Sequence, residues 1–306
     1  MRRLAFLPAL IALTMPLAAV SHSSHSTYSN HGLSVTTDDW EDIRDCSALR
    51  VTYNDRSLPV VEENVPVGSL RSLKVRSDRN GSIRVLASSN SSFAVKACKA
   101  SALGNVNDLR VNVSGNEVSA DRAETDGRSI IYLLVFAPRG AAIDLDASNG
   151  PISIDGVDGE ITAHALNGPI AVKASSGTLD INTQNGPISF VGASGNVKLR
   201  ATNGPISVKL TGGSWGAGSL DASTENGPMS LKLPSGYRSG VLVETDGNSP
   251  VSCRAAGCAA AKKAYASSED DNDFGPRWPR RIELGSGTRA VSLATHNGPV
   301  SVKEAD

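Results

Sequence analysis

The chain has 306 residues, a formal net charge of −1, 29 glycines and only 4% aromatic residues. That length accommodates one large or two ordinary domains. The near-neutral balance gives no global attraction to nucleic acid, and few aromatics with many glycines argue for thin regular layers rather than a bulky core.

Residues 1–21 read as an export signal. Arg2 and Arg3 form a charged start, and Leu4 to Val20 is an apolar run interrupted by Pro8 and Pro16. Ala19-Val20-Ser21 then supplies small residues for cleavage. The run is short for a membrane span, so none is expected after cleavage. The expected location is the periplasm, the cell surface or the medium. Residues 22–44 open rich in Ser, His and Asn and read as a disordered tail. His22, His25 and His31 belong to that solvated tail rather than to a metal site.

Residues 45–139 hold less periodic strands and read as an N-terminal β cap or as first, irregular coils. Asn80-Gly81, followed by Ile83 and Val85, is a degenerate copy of what comes next.

Between residues 140 and 306 the triplet Asn-Gly-Pro returns at Asn149, Asn167, Asn185, Asn203, Asn226 and Asn297, the first three steps being 18 residues each. A second turn at Gly159, Gly177 and Gly195 divides each step, so the unit is nine residues in two alternating versions. Apolar residues stand two and four positions after each glycine, as in Ile152 and Ile154 or Ile188 and Phe190. This period of two marks strands with one buried face.

Asn-Gly between strands is a strong hairpin signal. Here, however, Pro151, Pro169, Pro187 and Pro205 occupy the position whose N–H would close each hairpin, and proline has none. The pattern therefore predicts an all-β parallel β-solenoid, a β-helix of about 18 residues per coil. Its winding is right-handed by the crossover rule. Proline begins each strand, glycine and often asparagine supply the positive φ of the corner, and the asparagines form a ladder. Ile152, Ile170, Ile188, Ile206 and Met229 form one inward column. No carboxylate repeats at the turns, so calcium is not expected there.

Residues 254–286 read as an insertion, after which a last copy of the unit closes the stack. Its acidic run, Glu269 to Gly275, lacks calcium-loop spacing, because Phe274 stands where a ligand would be. An even cysteine count in an exported chain favours disulfides over metal. Of the three pairings open, Cys46–Cys98 and Cys253–Cys258 keep each bond within one region. His164 falls on an outward strand position and His296 beside a turn. No catalytic residue, cofactor or metal is expected.

One outward feature is singled out. Ser207, Ser230, Ser252 and Ser301 stand three positions after the glycine of their units, with Lys209, Lys232, Arg254 and Lys303 two positions further on. Ser252 and Arg254 join if Pro250 follows an offset of two extra residues. Coils at strand spacing turn these into a column of hydroxyls beside a column of cations. Such residues also keep an exposed sheet from pairing with other chains. As a binding strip they suit an anionic envelope polysaccharide or a surface protein.

The stretch "YLLVFAPRGAAIDLDASNGPISIDGVDGEITAHALNGPIAV", Tyr132 to Val172, resembles the bacterial β-strand-repeat family of unknown function known as "putative adhesins". Val135-Phe136-Ala137-Pro138-Arg139-Gly140 matches its lead-in of apolar-x-Pro-x-Gly, and the resemblance spans roughly residues 65–305. It implies a β-solenoid-like domain in or outside the cell envelope and brings no catalytic motif. The 254–286 insertion and the N-terminal segment depart from its compact pattern. Two function classes follow. The first is a non-enzymatic exported protein that binds through an extended sheet face. The alternative is a polysaccharide-active lyase or hydrolase on a β-helix scaffold, which would require carboxylates clustered in a groove.

Overall fold

The structure is a computed structural model. It describes residues 26–30, 33–37, 43–78, 81–121, 128–246, 249–258 and 280–305. The expected signal segment and residues 259–279 of the expected insertion lie outside the described residues.

The chain begins with a four-stranded antiparallel sheet, β1 (Ser26–Asn30), β2 (Leu33–Thr37), β3 (Leu49–Tyr53) and β4 (Arg56–Leu58). Over the described residues 26–30 and 33–37, strands stand where the sequence reads as a disordered tail. Leu33 and Val35 alternate inward on β2 and are buried, and β2 pairs with β3 in full register. The Ser- and His-rich start of the stretch hides this apolar alternation.

Seven described strands lead to the repeat region: β5 (Val61–Val65), β6 (Ser72–Ser77), β7 (Ser82–Ala87), β8 (Ala94–Ser101), β9 (Arg110–Ser114), β10 (Glu117–Asp121) and β11 (Ser129–Ala137). The repeats then supply β12 (Ala141–Ala147), β13 (Ile152–Asp155), β14 (Asp158–Ala165), β15 (Ile170–Lys173), β16 (Ser176–Thr183), β17 (Ile188–Gly192), β18 (Asn196–Asn203), β19 (Ile206–Leu210), β20 (Leu220–Asn226) and β21 (Met229–Leu233). The chain ends with β22 (Gly240–Thr245), β23 (Val251–Cys253), β24 (Arg281–Leu284), β25 (Arg289–Asn297) and β26 (Val300–Glu304).

Besides the small sheet there are two eleven-stranded sheets. The first runs β24-β22-β25-β20-β18-β16-β14-β12-β6-β10-β9, and the second β23-β26-β21-β19-β17-β15-β13-β7-β11-β8-β5. The all-β class is as expected. The sheets are mixed rather than purely parallel, because β24 and β9 in the first sheet and β8 and β5 in the second pair antiparallel to their neighbours. Such return strands cover edges that would otherwise be open to another chain. The repeats themselves pair parallel: Ile152 faces Ile170, Ile170 faces Ile188, Ile188 faces Ile206, and Ile206 faces Met229. All five are buried in the core that the two sheets share.

Each residue of the Asn-Gly-Pro triplet has a distinct role. Asparagine side chains bond in a continuous ladder, with Nδ2 of Asn167, Asn185, Asn203, Asn226 and Asn297 each donating to Oδ1 of the asparagine before it at 2.8–3.0 Å. The proline carbonyl accepts from the strand beside it: Pro169 from the Ile152 N–H, Pro187 from Ile170, Pro205 from Ile188. The glycine is needed for close approach, not for φ. None of Gly150, Gly168, Gly186 or Gly204 has a positive φ. A Cβ on Gly186 would lie 2.2 Å from the carbonyl oxygen of Gly168. The expected left-handed corner is therefore corrected at this turn. It holds at two of the three alternate turns, where Gly177 and Gly195 have φ of 97° and 113°, and not at Gly159.

The chain order is not the spatial order at either end. The last repeat does not close the stack. β25 lies between β20 and β22, and β26 between β21 and β23. At the other end β6 and β7 lie between β12/β13 and β10/β11. In both places an element distant in sequence fills an interior position and buries Val291, Leu293, Val300 and Val302, or Leu73, Val75, Ile83 and Val85, on both flanks. Asn203 and Asn226 stand 23 residues apart rather than 18. The extra residues carry Trp215 onto Phe190, with ring centroids 6.1 Å apart, where its Nε1 donates to the Gly195 carbonyl.

Candidate functional site

The outer face of the second sheet carries the strip. Alternation along β19, β21, β26 and β23 turns Ile206, Met229, Val300 and Val251 inward, so the next residues, Ser207, Ser230, Ser301 and Ser252, turn outward. Ser207 faces Ser230, Ser230 faces Ser301, and Ser301 faces Ser252. Ser230 donates to Ser207 Oγ at 3.0 Å. Two residues on, Lys209 faces Lys232 and Lys232 faces Lys303. Arg254 follows at the outer edge, its N–H bonded to the Val302 carbonyl. All four cations are exposed.

Two details differ from expectation. The cations run in the spatial order Lys209, Lys232, Lys303, Arg254, because β26 is intercalated. The offset before Pro250 is one residue rather than two, since Thr245 faces Thr295 while Val251 faces Val300.

The charges on this strip behave unlike those on the first sheet. There, Arg200 bonds Asp180 at 2.9 Å, Arg76 bonds Asp146 at 2.9 Å, and Arg281 bonds Glu244 and Glu283 at 2.5 and 2.6 Å. The guanidinium of Arg281 in turn lowers the carboxyl of Glu283. Among the described residues, none of Lys209, Lys232, Lys303 and Arg254 has an ion-pair partner. Like charges directly opposite one another on neighbouring strands cost stability, so folding alone does not call for this row.

The strip has a closed end and an open end. The four-stranded sheet packs over the outer side of β8 and β11, joining Leu33, Val35, Leu49 and Val51 to Ile130, Tyr132 and Leu134. The disulfide Cys46–Cys98 ties the two layers together, and Cys253–Cys258 joins β23 to the residues after it. Both are the favoured pairings. Beside this cover Arg84 is buried opposite Ser153, 3.9 Å from Asp155, and burial pushes the Tyr132 hydroxyl up to about 12. Beyond Asp155 the outer face is uncovered by described residues, and the column continues through Lys173 and Val191 to Lys209.

Sequence reasoning missed a second feature. The outer face of the first sheet has an open depression of about 500 Å³, lined by Asn182, Arg200, Ser223, Glu225, Asp246 and His296 among others. Small Ser223 and Ala294 form its floor, between larger side chains on β18 and β22. It arises from the insertion of β25 between β20 and β22. The only sequence signal for it is the likeness of Asn226-Gly-Pro and Asn297-Gly-Pro. His296 Nδ1 lies 3.4 Å from Asp246, and His164 stands on the same face, 3.9 Å from Asp146. Among the described residues no three His, Cys, Asp or Glu side chains are grouped to hold a metal ion.

The chain is similar to several solved structures, two of them named for adhesion and one for lipid binding. A "putative adhesin" from Parabacteroides merdae is 11% identical, covering 80% of this chain and 96% of its own, with a TM-score of 0.37. A "putative cell adhesion protein" from Clostridium sporogenes is 10% identical, covering 81% and 100%, with a TM-score of 0.32. A "putative lipid binding protein" from Parabacteroides distasonis is 9% identical, covering 81% and 97%, with a TM-score of 0.36. No protein-family profile matches the chain, and no curated protein matches it.

Proposed function

We propose that this is an exported, non-enzymatic binding protein of the cell envelope. In this reading the two large sheets are the flanks of one right-handed β-solenoid of about 18 residues per coil, and its second face docks an anionic polysaccharide. The observation that carries the proposal is the row of four exposed cations on adjacent strands, without ion-pair partners among the described residues, beside a row of serine hydroxyls. Two disulfides fit an oxidising, exported setting.

The polysaccharide-active alternative required clustered carboxylates, and the depression on the first sheet brings Glu225, Glu244 and Asp246 together. Their setting argues against acid catalysis. Glu244 is bonded to Arg281, and the Asp246 side chain is 82% exposed. A catalytic acid needs a sheltered carboxyl that stays protonated near neutral pH.

The test is binding of the full chain to immobilised polygalacturonate, hyaluronan and neutral dextran. The proposal requires retention on an anionic polymer but not on dextran, and loss of retention in Lys209→Gln/Lys232→Gln/Lys303→Gln. Equal retention of the triple variant would overturn it. Absence of binding to any polysaccharide would move the search to a surface protein.

A further inference from the structure

We infer that the polymer lies across the strands, along the axis on which they stack, and that it carries one carboxylate on every sugar ring. This inference rests on reading the strip as an anionic-polysaccharide site and adds the orientation and the charge repeat of the ligand.

Orientation follows from where the charges stand. Each strand contributes one outward cation: Lys209 on β19, Lys232 on β21, Lys303 on β26 and Arg254 after β23. The other outward position on each strand is a serine, and the preceding residue is the proline or the turn. A polymer laid along a strand would meet one cation, then a hydroxyl, then an uncharged corner. A polymer laid across the strands meets all four cations in succession, with Ser207, Ser230, Ser301 and Ser252 alongside to bond ring hydroxyls.

The repeat follows from the spacing. Adjacent strands stand about 4.8 Å apart, so the four cations span roughly 14 Å. One strand spacing is close to the length of one sugar ring in an extended chain. A polymer with a carboxylate on each ring therefore presents a new charge at every strand. A polymer with a carboxylate on every second ring presents one at every second strand and leaves half of the row unmatched. Lysine stems are long and free to swing, so they reach carboxylates on either edge of such a ribbon. The row lies on an exposed sheet face.

Calorimetry on the full chain at low salt separates charge number from charge spacing. A galacturonan of four rings and a hyaluronan of eight rings carry the same four carboxylates. The galacturonan is expected to bind at least roughly fivefold more tightly, because exposed ion pairs each add a few-fold in affinity. Lengthening galacturonan should raise affinity up to about four rings and then level off, since the footprint is four strands wide. Val191 faces Lys209 and Val172's neighbour Lys173 on either side of β17, so Val191→Lys lengthens the row. That variant should move the levelling point to longer oligomers without changing the fold, as judged by circular dichroism. Equal affinities for the two four-charge oligomers would overturn the repeat while leaving an anionic-polymer strip in place. Failure of both to bind would overturn the underlying reading as well.

Discussion

Asn297 donates from Nδ2 to Oδ1 of Asn226 at 2.9 Å, across 71 residues of chain. Asn226 makes the same bond to Asn203 at 3.0 Å. The ladder is thus continuous through the point where the last repeat enters the stack, and it records spatial order rather than chain order. Each interior asparagine gives one bond and accepts one. Replacing Asn185 with Ala removes both of its ladder bonds, to Asn167 and from Asn203. The expected loss is about 1 kcal/mol, because exposed hydrogen bonds contribute little net stability each. Gln184→Ala on the exposed neighbour should leave the urea midpoint unchanged.

The glycine column tolerates less. At Gly186 a Cβ would meet the backbone carbonyl of Gly168 at 2.2 Å, and neither strand can move without shifting its neighbours. Gly186→Ala should cost about 3 kcal/mol by overpacking. Gly236 has a φ of +70° and open space around it. Gly236→Ala should cost about 1–2 kcal/mol, the price of a left-handed alanine. Chemical denaturation of the two variants side by side checks the ranking.

Neighbouring residues on β17 should respond in opposite ways to the same substitution. Ile188 is 1% exposed and stacked between Ile170 and Ile206. Ile188→Asp leaves a buried charge without a partner and should cost roughly 3–5 kcal/mol. Ser189 points outward, and Ser189→Asp should be nearly neutral in melting temperature. Equal losses would mean that the two faces are assigned the wrong way round.

Asp45 predicts a pH dependence. Its carboxyl is lowered from 3.8 to about 2, chiefly by the backbone N–H of Ser47 and then by the hydrogen bond from Lys96. A carboxyl with a depressed folded value contributes stability above its unfolded value and loses it as pH falls through the folded one. The advantage of wild type over Asp45→Asn should therefore be full above about pH 4 and gone near pH 2. Urea midpoints of both proteins across that window measure it. A constant difference would mean that Asp45 acts through shape rather than charge.

The sequence was legible where structure is local. The 18-residue spacing placed Ile152 to Met229 in one column, the prolines argued against hairpins, and the two disulfide pairings followed from position along the chain. What it concealed is non-local. The closeness of Gly186 to Gly168 depends on the neighbouring turn, so the glycine could be mistaken for one chosen for its φ. Nothing in Asn297-Gly298-Pro299 says that it stands beside Asn226 rather than beyond Pro250. For that reason the cation row was foreseen with its members in chain order, and the depression at Ser223 and Ala294 was not foreseen at all.

The central claim is that the Lys209–Arg254 face is where an anionic polysaccharide docks. Amide chemical-shift mapping of the full chain during titration with a four-ring galacturonan tests it most directly. Shifts should concentrate on Ser207, Lys209, Ser230, Lys232, Ser301, Lys303 and Arg254, and should shrink as salt is raised, because exposed charges are screened over about 8 Å at physiological ionic strength. Shifts concentrated instead on Ser223, Glu225, Asp246 and His296 of the opposite sheet would contradict the account.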